Sequence, residues 1–351
     1  MESYLCLLIL TALIVYVIYF FHAYLYRSHR QLRTCAVFDF NQPLPSYAYL
    51  WVRYMTESFR KSQGHLYENN KDKKAITDEL VFTIFNCRLD VQNLRKYCSA
   101  MGYGWDYPDS TFRDVPLCYP DYFCCRLLTM ILCSERFKLS PLGLVRVRQT
   151  LSSLQPVDEL KKGPFTVQAR VTEYRSVLDG VEVDISLSAG RGDLPVWESA
   201  ITMFSQKTGP HTQSEPADTP DGSDAVKGVD LVVPWSAGVT CTWAFWELCP
   251  ACVLLRGACR LHLTRPNTPA LWVLSRCLVE IEKHRGVDAV RAPVSVSVTF
   301  RRSLFLPADV RIRFSQAASD SALRLCRFVM EKPSTREQYV SGEIQGSDTQ
   351  E

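Results

Sequence analysis

Residues 293–314 read PVSVSVTFRRSLFLPADVRIRF, and this stretch decides the fold predicted for the chain. Apolar residues alternate with polar ones on both sides of a corner that holds two arginines and a proline. Alternation of this kind is typical of strands with one buried face. The pattern therefore predicts strands at 293–301 and 304–314, followed by two more at 323–331 and 338–345.

A helix is predicted just upstream of these strands, over PALWVLSRCLVEIEKH (269–284). Pro269 suits the first helical turn, while Lys283 and His284 suit the negative end of the helix dipole in the last turn. The first half of the chain combines helices and antiparallel strands in a similar way. Its predicted helices lie near 47–63, from an Asp90 N-cap to about 101, and at about 121–133, and its predicted strands lie at 76–86, 143–155, 164–175, 181–189 and 195–206.

Composition limits the classes of function. The chain has 351 residues, of which 22% are charged and 47% apolar, so it is long enough for about two globular domains. The formal net charge of +3 is too small, and the basic runs are too short, to indicate a nucleic-acid partner. We therefore expect no nucleic-acid binding.

The N-terminus is predicted to be a membrane anchor. Residues 3–26 contain no acidic or basic side chain except His22. A helix of this length, at about 1.5 Å per residue, covers the roughly 30 Å hydrocarbon layer of a bilayer. A cleaved signal peptide and a buried core helix are the two alternatives.

The charges on either side of this stretch predict its orientation. Glu2 precedes it, whereas Arg27, Arg30 and Arg33 follow it, so the positive-inside rule places the C-terminal body in the cytosol. Residues 4–26 are then the membrane contact of a single-pass protein, with the endoplasmic reticulum as the favoured membrane. Since the cytosol is reducing, the fourteen cysteines are interpreted as thiols that are mostly buried.

A polar stretch divides the rest of the chain. Residues 207–228, KTGPHTQSEPADTPDGSDAVKG, hold no aromatic residue and cannot bury enough apolar area to order themselves. The predicted organisation is an anchor with its basic flank at 1–33, a first unit at 34–206, a linker at 207–228, a second unit at 229–346 and a tail at 347–351.

Five phrases carry a family resemblance. They are PLCYPDYFCCRLLTMIL (116–132), FKLSPLGLVRVRQTL (137–151), PVWESAITMFSQ (195–206), ALWVLSRCLVEIEKH (270–284) and FRRSLFLPADVRIRF (300–314). They resemble the MaoC-like dehydratases in their double hot-dog form, over most of residues 75–345. The resemblance implies an α+β fold of two hot-dog units, each a long helix wrapped by an antiparallel sheet, after a single transmembrane helix.

The resemblance also implies a chemistry. MaoC-like enzymes reversibly add water to an enoyl thioester, so the expected partner is an acyl thioester on coenzyme A or an acyl carrier, with no other cofactor. In that family an Asp and a His of a Gly-Asp-x-Asn-Pro-x-His loop activate the water, and a backbone amide at a helix N-terminus polarises the thioester carbonyl. Formation of a homodimer is left open.

The family's catalytic motif is absent from the place where the resemblance puts it. Residues 240–271 read TCTWAFWELCPACVLLRGACRLHLTRPNTPAL, without Gly-Asp, Asn-Pro-x-His or any Asp. Glu247 and His262 are the only candidates for acid–base catalysis there, and their separation along the chain does not guarantee that they meet. Glu247 and His262 are therefore the candidate catalytic residues of a chain whose activity is expected to be impaired.

Several alternatives stay open at this point. A C-x2-C-x6-C-x2-H set from Cys249 to His262 has the ligand types of a zinc site, but an apolar run interrupts it, and we predict buried cysteines instead of a metal. The unusual composition of residues 238–270 is also what a misread segment would give. A thioesterase would need a carboxylate at a helix start, for which Asp90 is the only candidate, and its role as a helix cap explains Asp90 without catalysis. The last alternative is a non-catalytic module that binds acyl chains or a partner protein at a membrane.

Overall fold

The computed structural model of the protein describes residues 2–67, 79–104, 114–207, 227–237, 268–316 and 323–347. Its helices are α1 Glu2–Phe20, which continues through a π-helix at Phe21–Tyr26 into α2 Arg27–Thr34, and then α3 Tyr47–Arg60, α4 Val91–Met101, α5 Tyr119–Cys133 and α6 Ala270–Arg285. Its strands are β1 Val37–Asp39, β2 Val81–Cys87, β3 Leu144–Ser153, β4 Phe165–Val177, β5 Gly180–Arg191, β6 Leu194–Gln206, β7 Lys227–Val233, β8 Val294–Phe300, β9 Ala308–Gln316, β10 Leu323–Glu331 and β11 Gln338–Ser347.

All the described strands belong to one sheet, in the order β1-β2-β4-β5-β6-β3-β8-β11-β10-β9-β7. Only the β1–β2 pair is parallel among these described neighbours, and the others are antiparallel. Strand β3 joins the halves, because it pairs with β6 on one side and with β8 on the other, where Leu151 lies opposite Val296. The two repeats therefore share a continuous sheet.

A central helix fills the concave side of each half. Helix α5 contacts β2, β4 and β5, whereas α6 contacts β9 and β10. Side chains on nearly every side of α5 are buried, as expected for a helix that is apolar all round. On β5, the fully buried Val183, Ile185 and Leu187 alternate with partly buried residues, which places one face of the strand on the core. The predicted α+β fold of two hot-dog units is confirmed.

Most of the predicted elements are present, although several of their ends differ from the predicted bounds. Strand β9 begins at Ala308 and not at residue 304, since Leu304 and Leu306 insert into the core and Pro307 has no N–H to pair. The short strand β1 was not predicted. Strand β7 begins at Lys227, within the end of the predicted 207–228 linker; residues 208–226 lie outside the described residues, so the domain layout stays a prediction.

The N-terminal helix is apolar and projects from the fold. The part from Ile9 to Thr34 is long and apolar enough to cross a membrane, and none of its most apolar stretch is buried inside the protein. Large side chains such as Val15 and Tyr16 are mostly exposed. A buried core helix, one of the alternatives raised by the sequence, is therefore excluded.

Candidate functional site

The predicted catalytic residues Glu247 and His262 fall within residues 238–267, which lie outside the described residues, as does the set from Cys249 to His262. The structure does describe where this segment ends. Thr268 is buried, and its backbone N–H donates to the carbonyl oxygen of Leu304 at 2.9 Å. The segment therefore leads into α6 beside the corner that precedes β9.

The start of α6 is held by the end of α4. The Trp272 indole and the Arg276 guanidinium donate to the backbone carbonyls of Ala100 and Met101, both at 3.0 Å. Carbonyls at the end of a helix lack partners within it, so these side chains satisfy groups that would otherwise be unpaired. Gly102 follows with φ of +83°, and a Cβ there would overlap the Arg276 side chain. The first half of the chain thus positions the helix that follows the expected catalytic segment.

A group of buried polar side chains, which we name the seam cluster, lies where α4, α6 and the first turn of α5 meet β3 and β6. Its members are Tyr97, Cys118, Asp121, Arg146, Gln149, Ser199 and Ser275. At the end near α6, the hydroxyls of Tyr97 and Ser275 are 2.9 Å apart, and Ser275 is also a hydrogen-bond partner of the Cys118 thiol. The cluster therefore connects residues of both repeats.

Asp121 is the charged centre of the seam cluster. Its side chain is completely buried, and its Oδ2 accepts hydrogen bonds from Arg146 at 3.0 Å and from Gln149 Nε2 at 2.7 Å. Arg146 also donates to Gln149 Oε1 at 2.8 Å, and Gln149 Nε2 lies 3.0 Å from Ser199 Oγ. Asp121 Oδ1, in contrast, accepts no hydrogen bond from the described residues.

Local structure explains why these side chains converge. Asp121 lies in the first turn of α5, where the positive end of the helix dipole favours a carboxylate. Arg146 and Gln149 are three residues apart on β3, which would put them on opposite faces of a regular strand. The β3–β6 register shifts between Arg146 and Arg148, so that one extra residue brings both side chains to the same face.

Burial controls protonation in the cluster. It raises the pKa of the Cys118 thiol to about 12, with a further contribution from the charge of Asp121. Burial likewise raises the pKa of Tyr97 well above its ordinary range. Both groups are therefore protonated at neutral pH, so Cys118 is not a thiolate nucleophile. The cluster can offer hydrogen-bond donors and one fixed carboxylate, but not the acid and base pair that hydration requires.

The seam cluster was not predicted from the sequence. Asp90 was the sequence candidate for a thioesterase carboxylate, and helix capping was the interpretation that explained it without catalysis. Asp90 is exposed, and it caps α4 by accepting from the Gln92 N–H at 2.9 Å, which accounts for it fully. Asp121 was not among the candidate residues. Within the described part of the chain, no group of three His, Cys, Asp or Glu side chains is placed to hold a metal.

No protein-family model matches this chain, and no curated protein matches it by sequence. Solved structures do resemble it. HtdX from Mycobacterium tuberculosis is 16% identical with a TM-score of 0.57, over 75% of this chain and 99% of that one. A MaoC-like dehydratase from Phytophthora capsici is 17% identical with a TM-score of 0.57, over 81% and 100%.

A third similar structure is the peroxisomal multifunctional enzyme type 2 from Drosophila melanogaster. It is 12% identical with a TM-score of 0.55, over 88% of this chain and 58% of that one. At identities this low, the structural similarity establishes the fold but not the reaction that the chain catalyses. The chain is a double hot-dog protein, built like the MaoC-like dehydratases.

Proposed function

We propose that this protein is anchored in a membrane by its N-terminal helix and binds acyl thioesters, including enoyl thioesters, in its cytosolic double hot-dog body. The observation that carries the proposal is the pair of central helices, α5 and α6, enclosed by one sheet in the arrangement of the MaoC-like dehydratases. The thioester would be carried on coenzyme A or on an acyl carrier, and no other cofactor is invoked.

The proposal includes impaired catalysis. Hydration needs a base to activate water and an acid to protonate carbon, and each positioned group typically contributes about 10²–10⁴ in rate. The sequence lacks the family's Asp and His loop, and the seam cluster holds a single carboxylate and no histidine. Glu247 and His262 are the remaining candidates for a residual acid–base pair. We therefore expect binding with little or no hydration.

The proposed membrane location rests on the N-terminal helix. The helical stretch Ile9–Thr34 is long enough to span a bilayer, its most apolar part is not buried in the protein, and Arg27, Arg30 and Arg33 follow that part. This distribution of charge supports a cytosolic body. The endoplasmic reticulum remains the favoured membrane.

The absence of the catalytic loop also favours a second candidate, a non-catalytic module that uses the hot-dog body to bind a partner protein. One experiment separates the candidates. The full-length protein in lipid nanodiscs is titrated with crotonyl and hexadecenoyl coenzyme A, and both binding and loss of the enoyl absorbance are measured. Saturable binding without hydration supports the proposal, whereas no binding at any chain length favours the protein-interaction module.

The same assay tests the candidate residues. If hydration is detected, His262→Ala should abolish it and Glu247→Gln should reduce it. Activity that survives both substitutions together would mean that the catalytic pair lies elsewhere in the chain.

A further inference from the structure

Helix α3 exposes an apolar face. Ala48, Trp51, Val52 and Phe59 are exposed, Phe59 to 80%, and they lie on one side of the helix, whereas Met55 on that side is partly buried against the core. Within this helix the only exposed charged residue is Arg60, at its last position. A helix that faces water ordinarily presents its polar side there, so α3 has the opposite arrangement.

Apart from Arg60, the ionic side chains at this end of the helix, those of Arg53, Glu57 and the adjoining Lys61, lie on the protein side. Glu57 is completely buried and forms ion pairs with Arg53 at 2.7 Å, Arg60 at 2.8 Å and Lys61 at 2.8 Å. The Lys61 side chain is completely buried as well, and it donates to the carbonyl oxygen of Phe137. Burying charges is costly unless they are paired, so these pairs hold α3 in the orientation that turns its apolar face outward.

The position of α3 relative to the N-terminal helix is fixed by hydrogen bonds. Ser46, the N-cap of α3, donates through Oγ to the carbonyl oxygen of Tyr24 at 2.7 Å, and its N–H donates to Ser28 Oγ at 2.9 Å. One turn further on, the Tyr49 hydroxyl lies 2.9 Å from His29 Nδ1. Helix α3 therefore starts at the level where the apolar span ends, which is the headgroup region of the proposed membrane.

Exposed apolar side chains continue beyond the end of α3. Leu142 is exposed, and the next residue, Gly143, lies against the side chain of Gln63, which follows the end of α3. Leu178, at the tip of the β4–β5 turn, is 97% exposed. This turn is adjacent to the end of α3, because the Lys207 N–H donates to the Asp179 carbonyl at 2.8 Å and a Cβ at Gly64 would overlap the Lys207 backbone.

We propose that the apolar face of α3, formed by Ala48, Trp51, Val52 and Phe59, lies in the cytosolic leaflet of the membrane that the N-terminal helix crosses. The inference depends on the membrane anchor of the proposed function. It adds that the cytosolic body contacts the bilayer directly instead of being connected to it by the anchor alone. A bilayer is the occupant that fits, since the start of α3 is bonded to the end of the span. Aromatic and aliphatic residues on one face of a helix, here with the cation Arg60 at its end, are typical of helices that lie in the membrane interface.

Photocrosslinking in the full-length protein tests the inference. A p-benzoylphenylalanine replaces Phe59 in one variant, Ile14 of α1 in a second and Val232 of edge strand β7 in a third, and each protein is reconstituted in vesicles of phosphatidylcholine and phosphatidylserine. All three positions are exposed, so the replacement does not disturb the core. We expect lipid adducts at positions 59 and 14 and none at position 232.

The controls separate the surface from the anchor. Lipid adducts at position 14 without any at position 59 overturn the inference while leaving the anchor intact. Adducts of position 59 with a second copy or another protein overturn it in favour of a protein interface. Absence of lipid adducts at position 14 would contradict the membrane anchor, and it would overturn the inference that depends on the anchor. Equal lipid adducts at positions 59 and 232 also overturn it, because the contact would not be specific to this face.

Discussion

Removing the Asp121 carboxylate should destabilise the body through the charge left behind. Asp121→Ala deletes two charge-assisted hydrogen bonds, from Arg146 and Gln149, and leaves the nearly buried Arg146 guanidinium without its counter-charge. Breaking one side of a buried ion pair costs about 3–5 kcal/mol of the free energy of unfolding. Two lost hydrogen bonds to a charged group give a similar figure, about 3–6 kcal/mol. Asp121→Asn keeps an acceptor and should cost less.

Urea unfolding of the full-length protein in detergent, followed by tryptophan fluorescence, measures this change. Trp197 is completely buried, and its indole donates to the carbonyl of Leu117, which precedes α5, so it reports on this region. Asp230→Ala, which removes an exposed partner of Arg311, is the matched control and should leave the unfolding midpoint unchanged.

A double variant tests the electrostatic reasoning itself. Asp121→Ala combined with Arg146→Met removes both charges, and it should recover much of the stability lost in Asp121→Ala. A loss of less than about 1 kcal/mol for Asp121→Ala, which is the range of a surface pair, would contradict a buried ion pair at this position. A double variant as unstable as the single one would show that the loss comes from packing and not from an uncompensated charge.

Two further predictions concern pH and the membrane. Burial raises the pKa of the Cys118 thiol from its ordinary value of 9.0 to about 12, so the folded state holds a proton that the unfolded state releases, and the free energy of unfolding should fall as the pH rises through this window. Unfolding at about pH 8 and about pH 10 checks this: Cys118→Ser should reduce the decrease, whereas the same change at the exposed Cys35 should not. Deletion of residues 1–33 should release the protein from membranes after a carbonate wash, and persistent pelleting would reveal a second insertion element.

Local signals in the sequence predicted most of the elements. The Asp90 cap located the start of α4, and alternating apolar residues located the long strands of both halves, because these patterns depend on neighbours in the chain. The three residues of β1 were too few to show a pattern. The pairing of β3 with β8 joins residues far apart in sequence, so no local signal could indicate it.

The seam cluster could not be predicted from the sequence, for a different reason. Its centre depends on an extra residue in β3, and without that bulge Arg146 and Gln149 would lie on opposite faces. The partners of Asp121 therefore could not be read from spacing alone. The candidates that were chosen, Glu247 and His262, lie outside the described residues and stay predictions.

The pairing of β3 with β8 has a consequence for synthesis. Leu151 faces Val296 in the finished sheet, so one edge of β3 has no partner until roughly 145 further residues have been made, which takes about 7–30 s at about 5–20 residues per second. During that interval the first repeat presents an open strand edge, the kind of surface that recruits other chains. We therefore expect the first repeat to be most prone to pairing with other chains before the second repeat has been made.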